Sequence, residues 1–295
     1  MIKNFKDIFG RIDKSNPIPV AVAAAEDEDV LRSVNEAVGM QIIKPLLVGD
    51  EKIISGLLSK LNFPGCEIVH ETNAPAEVAV HLVSQGRAKA VMKGLINTSD
   101  FMRAVLNPDF GLRTGRRLSH IMALEVPGEN RLLFVTDGAI SPAPDLEGKK
   151  EILDNALFTL SKLGYSQPKV ALLAANEQIN PKIPATSDAA TLVAFYSQAA
   201  NSLPCILEGP IALDVAASPE AARHKKIDSA IAGEVDLFLA PNIEAGNVLI
   251  KCLLHWGGAA MAGMVVGASA PVIMTSRSDS AYGKLASIAL AALTA

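Results

Sequence analysis

The chain has 295 residues, of which 49% are apolar and 20% are charged. This composition excludes a disordered chain, which combines low hydrophobicity with high net charge. The 27 Lys and Arg residues against 31 Asp and Glu residues give a net charge of −4, and 4% of the residues are aromatic. A nucleic-acid binder needs a basic face or aromatic stacking platforms, so we expect no nucleic-acid partner.

In the first half of the chain, short apolar runs alternate with longer amphipathic ones. Strands are predicted at 18–25, 43–48, 67–70, 88–92 and 132–135, and helices at 27–38, 51–60 and from Pro75 onward. Gly39 is predicted to follow the first of these helices as its left-handed C-terminal glycine.

The second half repeats this alternation. Helices are predicted at 149–163, 187–200, 243–255 and 281–293, and strands at 169–174, 205–207 and 237–240. Strands without polar alternation, separated by helices, predict an α/β protein with a mainly parallel sheet covered on both faces. The segment 136–148, with two prolines and two glycines, is the predicted domain break.

Two features bear on the location of the protein. Residues 252–276 carry no formal charge, and this segment is long enough to span a membrane. Glycines and a proline, however, interrupt its apolar residues. We therefore expect buried strands and turns there, and no membrane partner. The three cysteines, Cys66, Cys205 and Cys252, are widely spaced, which predicts reduced, mostly buried thiols in a cytoplasmic protein.

Several common motifs are missing from the sequence. It contains no G-x-x-x-x-G-K-[ST], no G-x-G-x-x-G after a strand, no H-E-x-x-H and no G-x-S-x-G. The five histidines lack the spacing of metal ligands, so we expect no metal site.

Polar residues cluster where predicted strands end, the edge at which parallel α/β sheets bind ligands. Lys93 and Gly94 follow the strand at 88–92: the lysine suits an anion, and the glycine allows close backbone approach. Thr98 is predicted to cap the next helix, in which Arg103 lies. The alternative interpretation is an ordinary strand-to-helix turn.

A second cluster, RTGRRLSH, holds Arg113, Arg116 and Arg117 next to Ser119 and His120. It suits an anion pocket with a hydroxyl and an imidazole as additional hydrogen-bonding groups. The alternative is a solvated basic loop.

Two more clusters follow predicted strands. Asp137 ends the strand at 132–135 and can orient a base, or simply form a turn. Ser276, Arg277 and Asp279 precede the last helix, where a hydroxyl, a guanidinium and a helix N-terminus suit a phosphate. The alternative is that Ser278 or Asp279 only caps that helix.

From about Val20 to the C-terminus the sequence resembles the phosphate acetyltransferase/phosphate butyryltransferase family. The blocks that carry the resemblance, in family order, are Lys93-Gly94 with Thr98, Leu118-Ser119-His120, Thr136-Asp137-Gly138, Asn155-Ala156 with Leu163-Gly164, Pro168-Lys169-Val170-Ala171, Ser187-Asp188-Ala189, Glu208-Gly209-Pro210 with Asp214, 231–236, Pro241-Asn242 with Gly246-Asn247 and Lys251, and Pro271-Val272 with Ser276-Arg277.

Three segments, KGLINT, LSHIMALEVP and SRSDSAYGKLASIALA, look more like the butyryl branch. The acetyl branch is expected to carry an acidic residue a few positions into the last helix. In this sequence that position falls at or near Gly283, and the nearest carboxylate is Asp279.

The resemblance implies a fold like that of isocitrate and isopropylmalate dehydrogenases. Two α/β/α domains with mainly parallel sheets flank a cleft. The first domain is expected to comprise 1–137 with 272–295 returning to it, and the second 138–271.

The implied reaction is the reversible, direct transfer of a butyryl or similar short acyl group between CoA and phosphate. No tightly bound cofactor is implied, and a homodimer is the family expectation. The resemblance also implies roles for the site residues. Arg277 with Ser276 holds phosphate, and Lys93 with Gly94, Thr98 and Arg103 contacts anionic groups. Ser119 or His120 donates to the oxyanion or carries the proton, and Asp137 or Asp279 pairs with the base.

Other functions remain open from sequence alone. One is a phosphate acetyltransferase, and another is an enzyme that takes its acyl group from acyl-ACP. A catalytically silent acyl-CoA-binding module and an oxidoreductase on the same fold are the alternatives from other classes.

Overall fold

The computed structural model describes residues 2–198, 203–275 and 279–295. The chain forms two compact units. The first unit comprises Met1–Asn4 and Arg117–Ala260, and the second comprises Phe5–Arg116 and Met261–Ala295. None of the helices formed by the described residues has the length and apolar character needed to cross a membrane.

The strands are β1 (Ile18–Ala23), β2 (Ile43–Gly49), β3 (Glu67–His70), β4 (Ala90–Lys93), β5 (Ser119–Glu125), β6 (Leu133–Thr136), β7 (Lys169–Leu173), β8 (Ile206–Ile211), β9 (Leu237–Leu239), β10 (Ala260–Val266) and β11 (Val272–Ile273). The helices are α1 (Phe5–Arg11), α2 (Glu28–Gly39), α3 (Glu51–Lys60), α4 (Pro75–Ser84), α5 (Thr98–Val105), α6 (Leu146–Lys162), α7 (Pro184–Gln198), α8 (Leu213–Ala217), α9 (Pro219–His224), α10 (Ile243–His255) and α11 (Ala281–Thr294).

The second unit holds strands in the order β3-β2-β1-β4-β11-β10. β3, β2, β1, β4 and β11 are parallel, and β10 runs antiparallel to β11. The mostly apolar α11 is buried along nearly its whole length and packs against α2. A Cβ atom at Gly283 would lie 2.7 Å from the carbonyl oxygen of Met261, so this helix approaches β10 too closely for any larger residue.

The first unit holds strands in the order β5-β6-β9-β7-β8. β5 and β6 form an antiparallel pair, and β6, β9, β7 and β8 are parallel. β5 and β6 belong to this sheet, and the longer segment of the first unit begins at Arg117. The predicted domain boundaries, 137/138 and 271/272, lie later in the chain than those of the two compact units, and the assignment of domains stays a prediction.

The α/β class with mainly parallel strands is confirmed. The helices at 51–60 and 243–255 and the strand at 67–70 have their predicted bounds. The expected left-handed C-terminal Gly39 is wrong: it is the last residue of α2, and the positive φ falls on Gln41 (+59°).

Two other expectations concern burial. Residues 252–276 include the end of α10, then β10 and β11, in agreement with the expected strands and turns. The prediction of mostly buried thiols is wrong, because Cys252 is exposed and Cys66 and Cys205 are only half-buried. All three cysteines are free.

Candidate active site

The first unit contains a buried group of polar side chains at the start of β5 and the end of β6. We call Ser119, His120, Thr136, Asp137 and Asn155 the buried cluster; each is at most 4% exposed. The antiparallel register pairs Ile121 with Thr136, which brings the start of β5 beside the end of β6. The hydroxyl of Thr136 donates to the carbonyl oxygen of His120 over 2.8 Å and ties the two strands together.

The strand register divides the cluster between two sides of the sheet. Successive residues of a strand point to opposite faces, and paired residues share a face. Ser119 and His120 are neighbours in β5 and therefore point to opposite faces: the charge of Asp137 acts on the ring of His120, whereas Ser119 lies under α6. There the amide Nδ2 of Asn155 donates to Ser119 Oγ over 3.1 Å and to the carbonyl oxygen of Arg117 over 2.8 Å.

His120 has an unusual environment for a titratable group. Its Nδ1 atom is buried and has no hydrogen-bond partner among the described residues. Burial lowers the pKa of the imidazole below its ordinary value of 6.5, and the negative charge of Asp137 partly offsets this lowering of the pKa. The ring is therefore neutral near pH 7 and has a nitrogen available to accept a proton.

Asp137 organises the turn that follows β6. Its Oδ1 accepts hydrogen bonds from the backbone amides of Ala139 and Ile140, and its Oδ2 accepts one from Ser141, at 2.9 to 3.1 Å. The turn is also fixed against α10, because a Cβ atom at Gly138 would lie 2.7 Å from Ile250 Cδ1. The carboxylate is thus held in place next to His120.

The second unit contains the other set of predicted site residues. We call Lys93, Gly94, Thr98 and Arg103 the exposed group, although Gly94 is buried and Lys93 half-buried. Gly94 crosses the end of β1 closely: a Cβ atom here would lie 2.2 Å from the carbonyl oxygen of Ala24. The Lys93 ammonium donates to the carbonyl oxygen of Gly94 over 3.3 Å.

The remaining members of the exposed group lie on α5. The prediction that Thr98 caps this helix is wrong, because Asn97 is the N-cap and Thr98 is the first helical residue. Arg103 pairs with Asp100 over 2.8 Å, and its side chain is 77% exposed.

The arginine run before β5 lies at the surface. Arg113, Arg116 and Arg117 are exposed. The Nε of Arg117 donates to Glu151 over 3.1 Å. Ser119 and His120, which follow the run, are buried in β5, and the anion pocket predicted for the run as a whole stays a prediction.

Of the cluster that precedes the last helix, Ser276 and Arg277 lie outside the described residues. Ser280 is the N-cap of α11 and accepts a hydrogen bond from the Gly283 amide over 3.0 Å. The alternative in which Asp279 caps the helix is therefore wrong. Asp279 is half-buried, and its role in the site stays a prediction.

One member of the buried cluster, Asn155, had no predicted role. A sequence signal for Asn155 was present in α6. The side chains of Ile152, Leu153, Ala156 and Leu160 form the buried face of this helix, and Asn155 is a polar residue within that face. In the described parts of the chain, no three His, Cys, Asp or Glu side chains are grouped so that they could hold a metal ion.

Comparison with known proteins places this chain in a class. The branched-chain phosphotransacylase of Enterococcus faecalis V583 superposes with a TM-score of 0.83 at 32% identity, covering 94% of this chain and 98% of that one. The phosphate butyryltransferase of Clostridium acetobutylicum is 45% identical over 100% of this chain and 99% of its own. The phosphate acetyltransferase of Rhizobium meliloti is 41% identical over 95% of this chain and 89% of its own.

These likenesses define the protein as a phosphate acyltransferase. The family model "Phosphate acetyl/butaryl transferase" matches residues 66–292. The chain belongs to the phosphate acetyltransferase/phosphate butyryltransferase family, whose substrates are CoA thioesters and phosphate, and the resemblance seen in the sequence is confirmed.

Proposed function

We propose that this acyltransferase prefers butyryl or a similar short acyl group and moves it reversibly between CoA and inorganic phosphate. The observation that carries the proposal is the 45% identity to a phosphate butyryltransferase over the full length of both chains. The structural likeness to a branched-chain phosphotransacylase also supports an acyl group longer than acetyl.

In the direction of acyl-phosphate formation, a phosphate oxygen attacks the thioester carbonyl carbon. The carbon–sulfur bond then breaks, and the sulfur leaves with the electron pair and takes up a proton. Holding both substrates together makes the attack effectively unimolecular. Donors aimed at the carbonyl oxygen stabilise the charge that develops on it.

The site residues have proposed roles in these steps. Lys93, with the backbone of Gly94, meets an anionic group of phosphate or CoA, and Thr98 and Arg103 add weaker contacts. Ser119 or His120 donates to the oxyanion or carries the proton, and Asp137 or Asp279 pairs with the base. The contact of phosphate with Arg277 and Ser276 stays a prediction from the sequence.

We also propose that the enzyme works as a cytoplasmic homodimer without a tightly bound cofactor and without a nucleic-acid or membrane partner. The free cysteines support a reducing compartment. Val248 on α10 and Trp256, the C-cap of that helix, are 68% and 88% exposed, and such apolar side chains favour an interface between copies. Sedimentation at the mass of a dimer is the expected result, and a monomer at micromolar concentration contradicts it.

The donor experiment separates the proposed acyl group from its alternatives. We expect kcat/KM to be higher for butyryl-CoA or isobutyryl-CoA than for acetyl-CoA. Each additional methylene buried in the site contributes about 0.8 kcal/mol, or roughly fourfold in kcat/KM. A preference for acetyl-CoA identifies an acetyltransferase, and transfer only from acyl-ACP identifies a carrier-protein enzyme. Binding of CoA without turnover identifies a silent module.

A further inference from the structure

The proposed reaction needs one group to carry a proton between phosphate and the CoA sulfur. Ser119, His120, Asp137 and Asp279 are the side chains proposed for this part of the chemistry, and the geometry of the buried cluster distinguishes three of them. A proton carrier must have an atom free to accept the proton, and it must not be committed to holding the fold.

Ser119 is held by a hydrogen bond from Asn155 of α6. The carbonyl oxygen of Arg117 can only accept a hydrogen bond, so its contact with Asn155 fixes the amide nitrogen of Asn155 on this side. The same nitrogen donates to Ser119 Oγ, which is therefore an acceptor in a structural hydrogen bond. No described residue supplies the base that a serine hydroxyl would need in order to exchange its proton.

Asp137 is held by the backbone of the turn that follows β6. Three backbone amides donate to its two oxygens, and protonation of the carboxyl would weaken that set of hydrogen bonds. Its charge is useful to a neighbour, but its oxygens are already occupied.

His120 differs from both. It is 4% exposed, its Nδ1 has no hydrogen-bond partner among the described residues, and the negative charge of Asp137 acts on its ring. An orphaned buried nitrogen costs about 1–3 kcal/mol, a cost that is tolerated where the atom has a function.

We propose that His120 is the proton carrier of the reaction and that Asp137 is its charge partner. This inference rests on the proposed function. As the phosphate oxygen bonds to the thioester carbon, its proton passes to the imidazole of the neutral His120. As the carbon–sulfur bond breaks, the imidazolium returns this proton to the departing sulfur. In the reverse direction His120 takes the proton of the CoA thiol.

Two consequences make His120 suitable for this role. Burial lowers the pKa of the ring, so the base is unprotonated at neutral pH. Asp137 is the charged residue whose field acts on that pKa, and it stabilises the imidazolium that forms during transfer. A carboxylate near Gly283, as expected in the acetyl branch, is then not required in this chain.

The test is the pH profile of kcat/KM in wild type and His120→Gln. We expect kcat/KM of the wild type to fall at low pH, with an apparent pKa below 6.5. We call this decline the acid limb of the profile. The His120→Gln variant should lose about 10²- to 10⁴-fold in kcat, and its acid limb should disappear. Folding of each variant is checked by circular dichroism and thermal unfolding.

A second variant separates chemistry from packing. His120→Ala leaves a hole of the shape of the ring, and added imidazole should restore part of the rate in proportion to its unprotonated form. A purely structural role would give no such dependence on the protonation of imidazole. Ile121→Val, the adjacent buried residue of β5, is the matched control, and it should keep the acid limb.

The outcomes distinguish this inference from the proposed function. If wild type shows no phosphate-dependent transfer, the proposed function itself fails. If wild type is active and His120→Gln retains both its rate and its acid limb, the inference is overturned. Loss of the acid limb in Asp279→Asn, with the limb intact in His120→Gln, overturns it in favour of the carboxylate.

Discussion

The buried cluster and the exposed group are built in opposite ways. In the buried cluster, Ser119 and Asp137 are fixed by hydrogen bonds, and His120 Nδ1 has no hydrogen-bond partner in the part of the chain that the structure describes. In the exposed group, Thr98 and Arg103 lie at the surface of α5, and only Gly94 is tightly enclosed. A fixed, dehydrated site suits steps in which a proton moves, whereas an exposed cation suits the capture of an anionic substrate.

This contrast predicts that variants of the buried cluster lower kcat, whereas variants of the exposed group raise KM. After the loss expected for His120→Gln, the next largest effect is expected for Asp137→Asn, which removes the charge and keeps the shape. Since the field of Asp137 raises the pKa of His120, the acid limb should move to lower pH. We expect kcat to fall about 10- to 100-fold, the equivalent of about 1.4–2.7 kcal/mol, because the imidazolium that forms loses the charge that stabilises it.

The pH profile of kcat/KM measures the shift of the acid limb. A limb that stays at the wild-type pH in Asp137→Asn would contradict the pairing of Asp137 with His120. Ser141→Ala is the matched control, because its backbone amide still donates to the carboxylate and the charge is unchanged.

Gly94→Ala tests the one tightly enclosed position of the exposed group. The new Cβ would collide with the carbonyl oxygens of Ala23 and Ala24, and backbone atoms cannot move aside cheaply. We expect the free energy of unfolding to fall by about 1–3 kcal/mol. Gly56→Ala on α3 is the control, because its Cβ meets no atom within 4 Å, and it should gain about 0.5–1 kcal/mol. Equal effects in urea titration would refute the close approach.

Lys93→Met tests the proposed capture of an anion. The methionine keeps the stem of the side chain and removes the ammonium. We expect KM for phosphate or CoA to rise about tenfold, the equivalent of about 1.4 kcal/mol, with kcat retained. Initial rates at varied phosphate and varied CoA thioester give both constants. If kcat falls and both KM values stay unchanged, Lys93 acts in the chemistry and the contrast between the two regions fails.

The smallest effect concerns stability. A histidine whose pKa is lowered by folding binds its proton less readily in the native state than in the unfolded chain. Stability is therefore lost as the pH falls below the unfolded pKa of about 6.5, by at most about 1.4 kcal/mol per pH unit from this group. Denaturant titration between pH 7 and pH 5 should show a shallower loss in His120→Gln. An identical slope would show that His120 titrates normally.

Much of this fold was predictable because local pattern and tertiary structure agree. The helix 51–60 has Asp50 as its N-cap, and α10 has Asn242, so both helices begin where the side-chain chemistry indicates. β5 was missed because its start follows directly on an arginine-rich surface loop. Its antiparallel pairing with β6 is a tertiary contact, and the spacing of residues along the sequence does not predict it.

The site was predictable in its residue types but not in its division of roles. Asp137 was singled out because it ends a predicted strand, and Ser119 and His120 were singled out because they adjoin a run of arginines. The strand register then separates Ser119 from His120, and the backbone of the turn occupies the oxygens of Asp137. Asn155 was missed because one buried amide in an amphipathic helix has no motif of its own.

The most direct test of the whole account is the release of CoA thiol from butyryl-CoA, measured with and without phosphate. We predict release that requires phosphate and yields butyryl phosphate in equal amount. Release that proceeds equally without phosphate would identify a thioesterase and contradict the account.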